Sequence, residues 1–349
     1  MATSGPDDDR PGRTGPGAEA GVTPPASRGV GELPAPGPPI VPHTRYDPVE
    51  LAARARAAGT TVSVVIPARD EEPTVAGVVS ILKQGLMDRI GLVDEILVVD
   101  AGSHDRTAEA ARAAGARVVR QADVLPHLGT APGKGEAMWK GLAAARGDLL
   151  VYVDADLTDA RPHFVTGLLG PLLHDEHILF TKAVYDRPLA LGGTGEPSGG
   201  GRVTELLARP VLATLFPALA GIVQPLAGEV AARRELLASV PFVRGYGVEI
   251  AMLIDIEARA GIGSIAQVDL GRRSHAHQSL PALGRMSTEL LQVALARRAA
   301  LDGRAPDAPA GDGTGGVLLW QPRRTDDGGI AMRPTWVEAT ERPPLQDLL

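Results

Sequence analysis

The chain has 349 residues, a net charge of -7, 44% hydrophobic and 22% charged residues. That is a globular composition, long enough for a sizeable core, with no basic footprint for nucleic acid. It has no cysteine, which excludes disulfides, thiolate metal sites and cysteine nucleophiles, and its acidic start MATSGPDDDR lacks an apolar run, so a signal peptide is not expected and the cytoplasm is.

Residues 1–45 hold ten Pro and eight Gly without a hydrophobic period. They predict a disordered tail, because such a segment buries too little apolar surface to offset its ordering entropy. A short helix is expected over 47–58, then a buried strand over 62–67 that exits into Arg69-Asp70-Glu71-Glu72. A helix to about residue 86 follows, a second strand over 94–100 and an exit loop at Ala101-Gly102-Ser103. Asp105 can cap the next helix, which stops at Gly115, and 117–119 reads as a third strand. The loop 129–135 leads to a helix over 136–145. Asp148-Leu-Leu-Val-Tyr-Val-Asp154-Ala155-Asp156 then reads as a buried strand running out into two carboxylates. Strands alternating with helices of this length predict a parallel α/β sheet over 46–185.

Beyond that the pattern loosens. A helix is expected over 164–173, a strand over 178–184, a Gly-rich loop over 189–201 and a helix over 202–219 with a break near Pro210. Pro210 to Gly228 carries no charge, nearly a membrane-spanning length. Pro217, Pro225 and Gln224 favour a buried helix followed by a loop instead. An edge strand is expected over 228–233, a helix over 248–260, a strand over 262–270, a basic loop over 272–278 and a helix over 283–300. Residues 186–302 thus form a mixed second half. A linker and tail, 303–349, follow, in which apolar clusters at 317–320 and 336–337 suggest partial docking.

The chemistry concentrates at one edge. Residues i and i+2 of extended chain point the same way. Asp154 and Asp156 therefore can face one site at the carboxyl edge of a parallel sheet, where such folds bind ligands, and a D-x-D there suits a divalent cation shared with a diphosphate. The same pair can simply cap the helix that follows. Asp70, Glu71 and Asp100 lie at that edge too, while Asp70–Glu72 also suit a helix N-terminus. Gly129-Thr-Ala-Pro-Gly-Lys134-Gly is not a Walker A motif. Its lysine can reach a phosphate or a uracil carbonyl, or be an ordinary loop lysine. Gly199-Gly-Gly201-Arg202-Val-Thr204 suits a phosphorylated or carboxylated acceptor, or only a linker entering a capped helix. His275 and His277 share a face and offer a third metal ligand, or a surface pair. Glu249 is a candidate catalytic carboxylate or a first-turn charge.

Taken together, VIPARDEE, APGKGEAMWKG, VYVDADL, GGGRVTEL, QPLAGE, GYGVEIAMLID and the His275 loop resemble the glucosyl-3-phosphoglycerate synthase family of retaining glycosyltransferases, over about Val62 to Ala300. The resemblance implies a GT-A nucleotide-sugar-binding fold, a mainly parallel sheet flanked by helices, with a smaller mixed C-terminal acceptor part. It implies that Pro67, Ala68, Asp70 and Glu71 hold uridine, with Gly102 or Ser103 nearby and Lys134 on the nucleotide. Asp154, Ala155 and Asp156 would meet ribose, sugar and metal, and Asp156 with His275 would ligate Mg²⁺ or Mn²⁺. Gly201, Arg202 and Thr204 would bind 3-phosphoglycerate, and Tyr246, Glu249 and Arg273 would line the donor sugar and its diphosphate, Glu249, Asp156 and Arg273 being the catalytic set. UDP-glucose would be the donor, and a homodimer without a membrane span is implied. Arg69, Ala101, Gly102, Ala155 and Gln278 depart from the family pattern. A GT-A transferase with a polyprenyl phosphate acceptor, a sugar-phosphate nucleotidyltransferase and a non-catalytic nucleotide-sugar-binding relative are the competing readings.

Overall fold

The structure, a computed structural model, describes residues 1–2, 37–186, 201–273, 279–304, 316–326 and 328–348. The expected tail ends sooner than residue 45. Ile40–Pro42 forms β1, which pairs in parallel with a late strand, and Gln267 donates to the Pro38 carbonyl at 3.1 Å. Main-chain pairing orders this stretch although its composition does not ask for order. Helix α1 (Pro48–Ala57) starts where Asp47 accepts from the Val49 and Glu50 amides at 2.9 and 3.0 Å, with Pro48 in the first turn.

The apolar runs then become strands as expected: β2 (Val62–Ala68), β3 (Glu95–Asp100), β4 (Arg117–Arg120) and, after one intervening α-helix, β5 (Leu149–Tyr152). Between them lie α2 (Val75–Leu82), α3 (Thr107–Ala113) and α4 (Lys134–Ala144). After β5 come α5 (Pro162–His174), β6 (Phe180–Asp186), α6 (Arg209–Leu215), β7 (Val230–Arg233), α7 (Arg234–Ala238), β8 (Phe242–Val243), α8 (Val248–Ala260), β9 (Ile265–Arg272) and α9 (Leu280–Leu301). A hairpin of β10 (Val317–Arg324) and β11 (Ile330–Val337) and a two-residue strand, β12 (Glu341–Arg342), complete the chain.

One eight-stranded sheet runs β1-β9-β6-β7-β5-β2-β3-β4. All pairings are parallel except those of β7, which is antiparallel to β5 and β6. The edge strand expected over 228–233 is therefore an interior one, and strands from both expected halves of the chain share a single sheet. Alternation of side chains divides the core into two faces. Val65, Leu97, Val99, Leu150 and Tyr152 pack with α4, α6, α8 and α9. Val64, Ile66, Ile96, Val98, Leu149 and Val151 pack with α1, α2, α3 and α5. Each such fully buried Val, Leu or Ile contributes about 1.5–3 kcal/mol.

The uncharged stretch from Pro210 holds only the last six residues of α6 and a short turn at Pro217–Leu219, since Phe216 leaves helical geometry before Pro217. Among the described residues no helix is long and apolar enough to cross a membrane. The break expected at Pro210 does not occur: the wider π-helical turn Thr204–Ala208 runs directly into α6 and accommodates Pro210, which has no N–H for the ladder.

Candidate active site

β5 ends at Tyr152, and the chain crosses the carboxyl edge of the sheet as Val153-Asp154-Ala155-Asp156. Asp154 turns inward. It accepts from Lys134 Nζ at 2.6 Å and from Arg273 Nη2 at 3.0 Å. Asp156 is half-exposed and lies 3.6 Å from the same Arg273 nitrogen. The two carboxylates thus differ. One is already neutralised by two cations, and the other keeps its charge toward solvent.

Arg273 is the hub. It follows β9, is almost fully buried, and donates from Nη1 to Glu229 at 2.7 Å. Glu229 opens β7 and is completely buried. The Tyr185 ring lies 5.4 Å from the guanidinium carbon. Lys134, at the start of α4, also contacts Glu249 of α8 at 3.1 Å. Burial alone would lower the Lys134 pKa, but Asp154 and Glu249 outweigh it and push it well above the ordinary lysine value. Burial would raise Asp154, and Lys134 and Arg273 reverse that, holding it well below the usual carboxylate range. Burial keeps Glu229 above its ordinary value even against Arg273. Lys182 of β6 completes the interior, donating to the Ala227 carbonyl at 2.7 Å; burial drops its pKa to about 8.

Glycines make the approach possible. A Cβ on Gly228 would overlap Lys134 Nζ and the Asp154 carboxylate, and one on Gly245 would overlap Glu289. Glu289, from α9, accepts from the Gly247 amide at 2.9 Å. It fixes the turn that presents the half-exposed Tyr246 and the buried Glu249.

On the other side of the site, β2 delivers Pro67 and Ala68. Asp70 adopts the left-handed region at φ 57°, which Asp tolerates better than most residues. Its amide donates to Ser103 at 3.0 Å, and its carboxylate accepts from the His104 amide at 2.6 Å, which holds its pKa low. The Glu71 amide donates to Thr107 at 2.7 Å. Burial, then repulsion from Asp156, Asp105 and Asp154, raises the Glu71 carboxyl, so Glu71 shares the electrostatic field of the D-x-D. Gly102 sits exposed in the neighbouring loop at φ 81°. Capping and site formation hold together here, because the loops after β2 and β3 are stitched to one another.

Thr204 is buried at the head of the turn before α6, Arg202 is half-buried, and the Gly201 carbonyl accepts from the Glu205 amide at 3.0 Å. These three stand apart in the chain from the Asp154 cluster. His275, His277 and Gln278 lie outside the described residues, as does most of the expected 189–201 loop. The sequence alone does not single out Glu229, Lys182, Tyr185 or Glu289. The available signal was a glutamate directly after an uncharged buried run, a position that requires a cationic partner.

A divalent cation fits this donor set. Among the described residues no three Asp, Glu or His side chains form a ready cage. Asp156 supplies a hard, partly exposed oxygen beside an already compensated Asp154, which leaves the rest of a shell to a ligand's own oxygens.

A mainly parallel α/β sheet with paired carboxylates, lysine and arginine at its carboxyl edge fits a nucleotide-sugar-dependent glycosyltransferase of the GT-A fold. Residues 63–195 match the model of glycosyl transferase family 2. A glucosyl-3-phosphoglycerate synthase of Mycolicibacterium paratuberculosis is 47% identical over 293 residues, 83% of this chain and 85% of the relative. The solved structure of glucosyl-3-phosphoglycerate synthase from Mycobacterium tuberculosis, in complex with Mn²⁺, UDP and phosphoglyceric acid, matches with TM-score 0.74 and 43% identity, covering 87% of this chain and 96% of that one. Mannosyl-3-phosphoglycerate synthase from Rubrobacter xylanophilus matches with TM-score 0.78 and 41% identity, covering 88% and 97%. The chain belongs to the glucosyl-3-phosphoglycerate synthase family.

Proposed function

We propose that the protein transfers glucose from UDP-glucose to D-3-phosphoglycerate with retention of configuration, giving glucosyl-3-phosphoglycerate and UDP. The observation that carries this reading is the convergence of Lys134, Asp154, Asp156, Glu249 and Arg273 at one sheet edge. Those groups suit a diphosphate leaving group and the sugar attached to it. Pro67, Ala68, Asp70, Glu71 and Gly102 form the uridine side, with Ala155 beneath the sugar nucleotide. Gly201, Arg202 and Thr204 hold the acceptor's phosphate and carboxylate. The first half of the chain thus supplies the nucleotide side, and the second half supplies the acceptor residues together with Tyr246, Glu249 and Arg273.

Lys134 and Arg273 carry positive charge that charge developing on the departing UDP can meet without reorganisation. Tyr246 flanks the donor sugar from its half-exposed position, and Glu249, held by Lys134, orients the acceptor hydroxyl or stabilises positive charge on the sugar. Asp156, with His275, would hold Mg²⁺ or Mn²⁺, which when bound supplies Lewis-acid help to the diphosphate. The absence of cysteine fits the cytoplasm. Two copies would pair through apolar surface, for which Leu291 and Leu295 of α9 and Trp320, Ile330 and Met332 of the hairpin are exposed; a monomer mass by light scattering would remove that part.

A UDP-release assay with Mg²⁺ or Mn²⁺ tests the reading. Release is expected only when UDP-glucose and 3-phosphoglycerate are both present. The likeness to a mannosyl-3-phosphoglycerate synthase makes the donor sugar the point to vary. Release with a mannose nucleotide but not with UDP-glucose would keep the acceptor and reassign the donor. No release with any pair would overturn the transferase reading.

A further inference from the structure

The C-terminal strand reaches back to the donor site. β12 pairs antiparallel with β8, Glu341 opposite Val243 and Arg342 opposite Phe242, and the Arg244 amide donates to the Thr340 carbonyl at 2.9 Å. β8 in turn cradles the start of α4. The Glu136 amide donates to the Arg244 carbonyl at 2.9 Å, and a Cβ on Gly133 or Gly135 would overlap the Arg244 or Val243 carbonyl. Lys134 lies between those two glycines.

Arg342 ties this layer together. Its guanidinium makes two 2.7 Å bonds to Glu136, which is completely buried, and donates to the Leu128 and Gly129 carbonyls at 2.8 and 3.1 Å. It lies over the Trp139 ring, 5.4 Å from its centroid, and Trp139 donates to the Pro343 carbonyl at 3.0 Å. Lys140, also buried, donates to the carbonyls of Val124 and Gly129 at 2.5 and 2.9 Å. Two cations therefore converge on the Gly129 carbonyl, at the root of the loop that ends in Lys134. Glu136, which also lies 3.8 Å from Arg244, is one carboxylate among several cations, so main-chain oxygens hold the remaining charge. A loop with left-handed residues at Leu125 and Gly129 is fixed in one shape by these bonds.

We propose that Arg342 is a positioning residue for the donor site: through Glu136 and the Leu128 and Gly129 carbonyls it locks the 126–135 loop so that Lys134 stands between Asp154 and Glu249, ready for the donor diphosphate. The inference rests on the proposed function for the identity of the donor. It gives the tail strand a role in the reaction, since β12 supports both β8, which leads to Tyr246 and Glu249, and the loop that carries Lys134.

The test compares Arg342→Lys and Arg342→Ala with the full-length protein. Lysine keeps a charge beside Glu136 but lacks the planar fork that spans four acceptors. Arg342→Lys is expected to melt within a few degrees of wild type, to raise the KM for UDP-glucose about tenfold and to leave the KM for 3-phosphoglycerate within about twofold. Hydrogen exchange at the 128–135 amides is expected to quicken, with β2 and β3 unchanged. Arg342→Ala, which leaves the buried Glu136 with only the looser Arg244 contact at 3.8 Å, is expected to melt lower, so the lysine variant is the decisive one. A folded Arg342→Lys with unchanged donor KM overturns the proposal, as does a parallel rise of both KM values. If the wild type turns over no donor, the functional reading fails, and hydrogen exchange alone decides: unchanged protection at 128–135 overturns the positioning role.

Discussion

Asp154 and Asp156 are two residues apart and do different work, because of what stands next to them. Asp154 accepts from Lys134 and Arg273, whereas Asp156 faces solvent with Arg273 3.6 Å away. Asp156→Ala should therefore leave the melting temperature almost unchanged, since exposed substitutions usually fall within about 0.5 kcal/mol. Turnover should fall about a hundredfold or more, the scale on which metal sites respond to lost ligands and their supports. Near wild-type turnover with Mn²⁺ would remove Asp156 from the metal site. Arg273→Met should behave in the opposite way. It strands the fully buried Glu229, and breaking such a pair from one side costs about 3–5 kcal/mol. Denaturant unfolding would show it, and a midpoint equal to wild type would mean that Glu229 finds another partner. Arg202→Ala, in the proposed acceptor site, should mainly raise the acceptor KM. A raised donor KM instead would reassign the pocket at Gly201–Thr204.

Helix α4 shows how one element serves both core and site. Its middle packs on β2, with Gly141 so close that a Cβ would stand 2.5 Å from Val65 Cγ1, while its first residue is Lys134. Gly135→Ala would drive a methyl into the Val243 carbonyl, separating α4 from β8 and Lys134 from Glu249. It should cost more than about 2 kcal/mol, as overpacking does, and weaken UDP-glucose binding. Gly77, on the exposed face of α2 with nothing within 4 Å of a built Cβ, is the control. Gly77→Ala should stabilise by about 0.5–1 kcal/mol, read as a higher denaturant midpoint. These elements were largely legible in the sequence. The runs at 62–67, 94–100 and 149–153 could be little else than buried strands, and Asp154 with Asp156 marked the site's edge. β7 was not placed correctly, because Val-Ala-Ala-Arg reads alike at the edge or centre of a sheet. Only pairing with both β5 and β6 puts it inside. Arg342 was not legible at all. It is one of five arginines in the 303–349 tail, and its partner Glu136 is 206 residues away.

Across the whole molecule, one cluster of opposite charges lies buried at the carboxyl edge of the sheet. Lys134, Lys182 and Arg273 face Asp154, Glu229 and Glu249 within a few side chains of one another, and this arrangement ties stability to pH. Lys182 titrates near 8 in the fold, because burial penalises its charge and Lys134 adds to that against Glu249 and Glu229. In the unfolded chain it titrates near 10.4. Below pH 8 both states hold the proton and the fold bears the full penalty. From pH 8 upward the folded chain releases the proton while the unfolded chain keeps it, so stability rises with pH in that window. Tyr152 and Tyr185 act the other way above pH 10. Burial raises both, with the Glu229 charge adding to Tyr185, so the folded state keeps phenolic protons that the unfolded state loses. Lys182→Met removes the first effect and leaves the second. Unfolding free energies measured in urea from pH 7 to 10 should therefore diverge, wild type gaining about 2 kcal/mol on the variant between pH 8 and 10. Parallel curves would mean that Lys182 keeps its proton throughout, and that the carboxylates around it outweigh the cost of its burial.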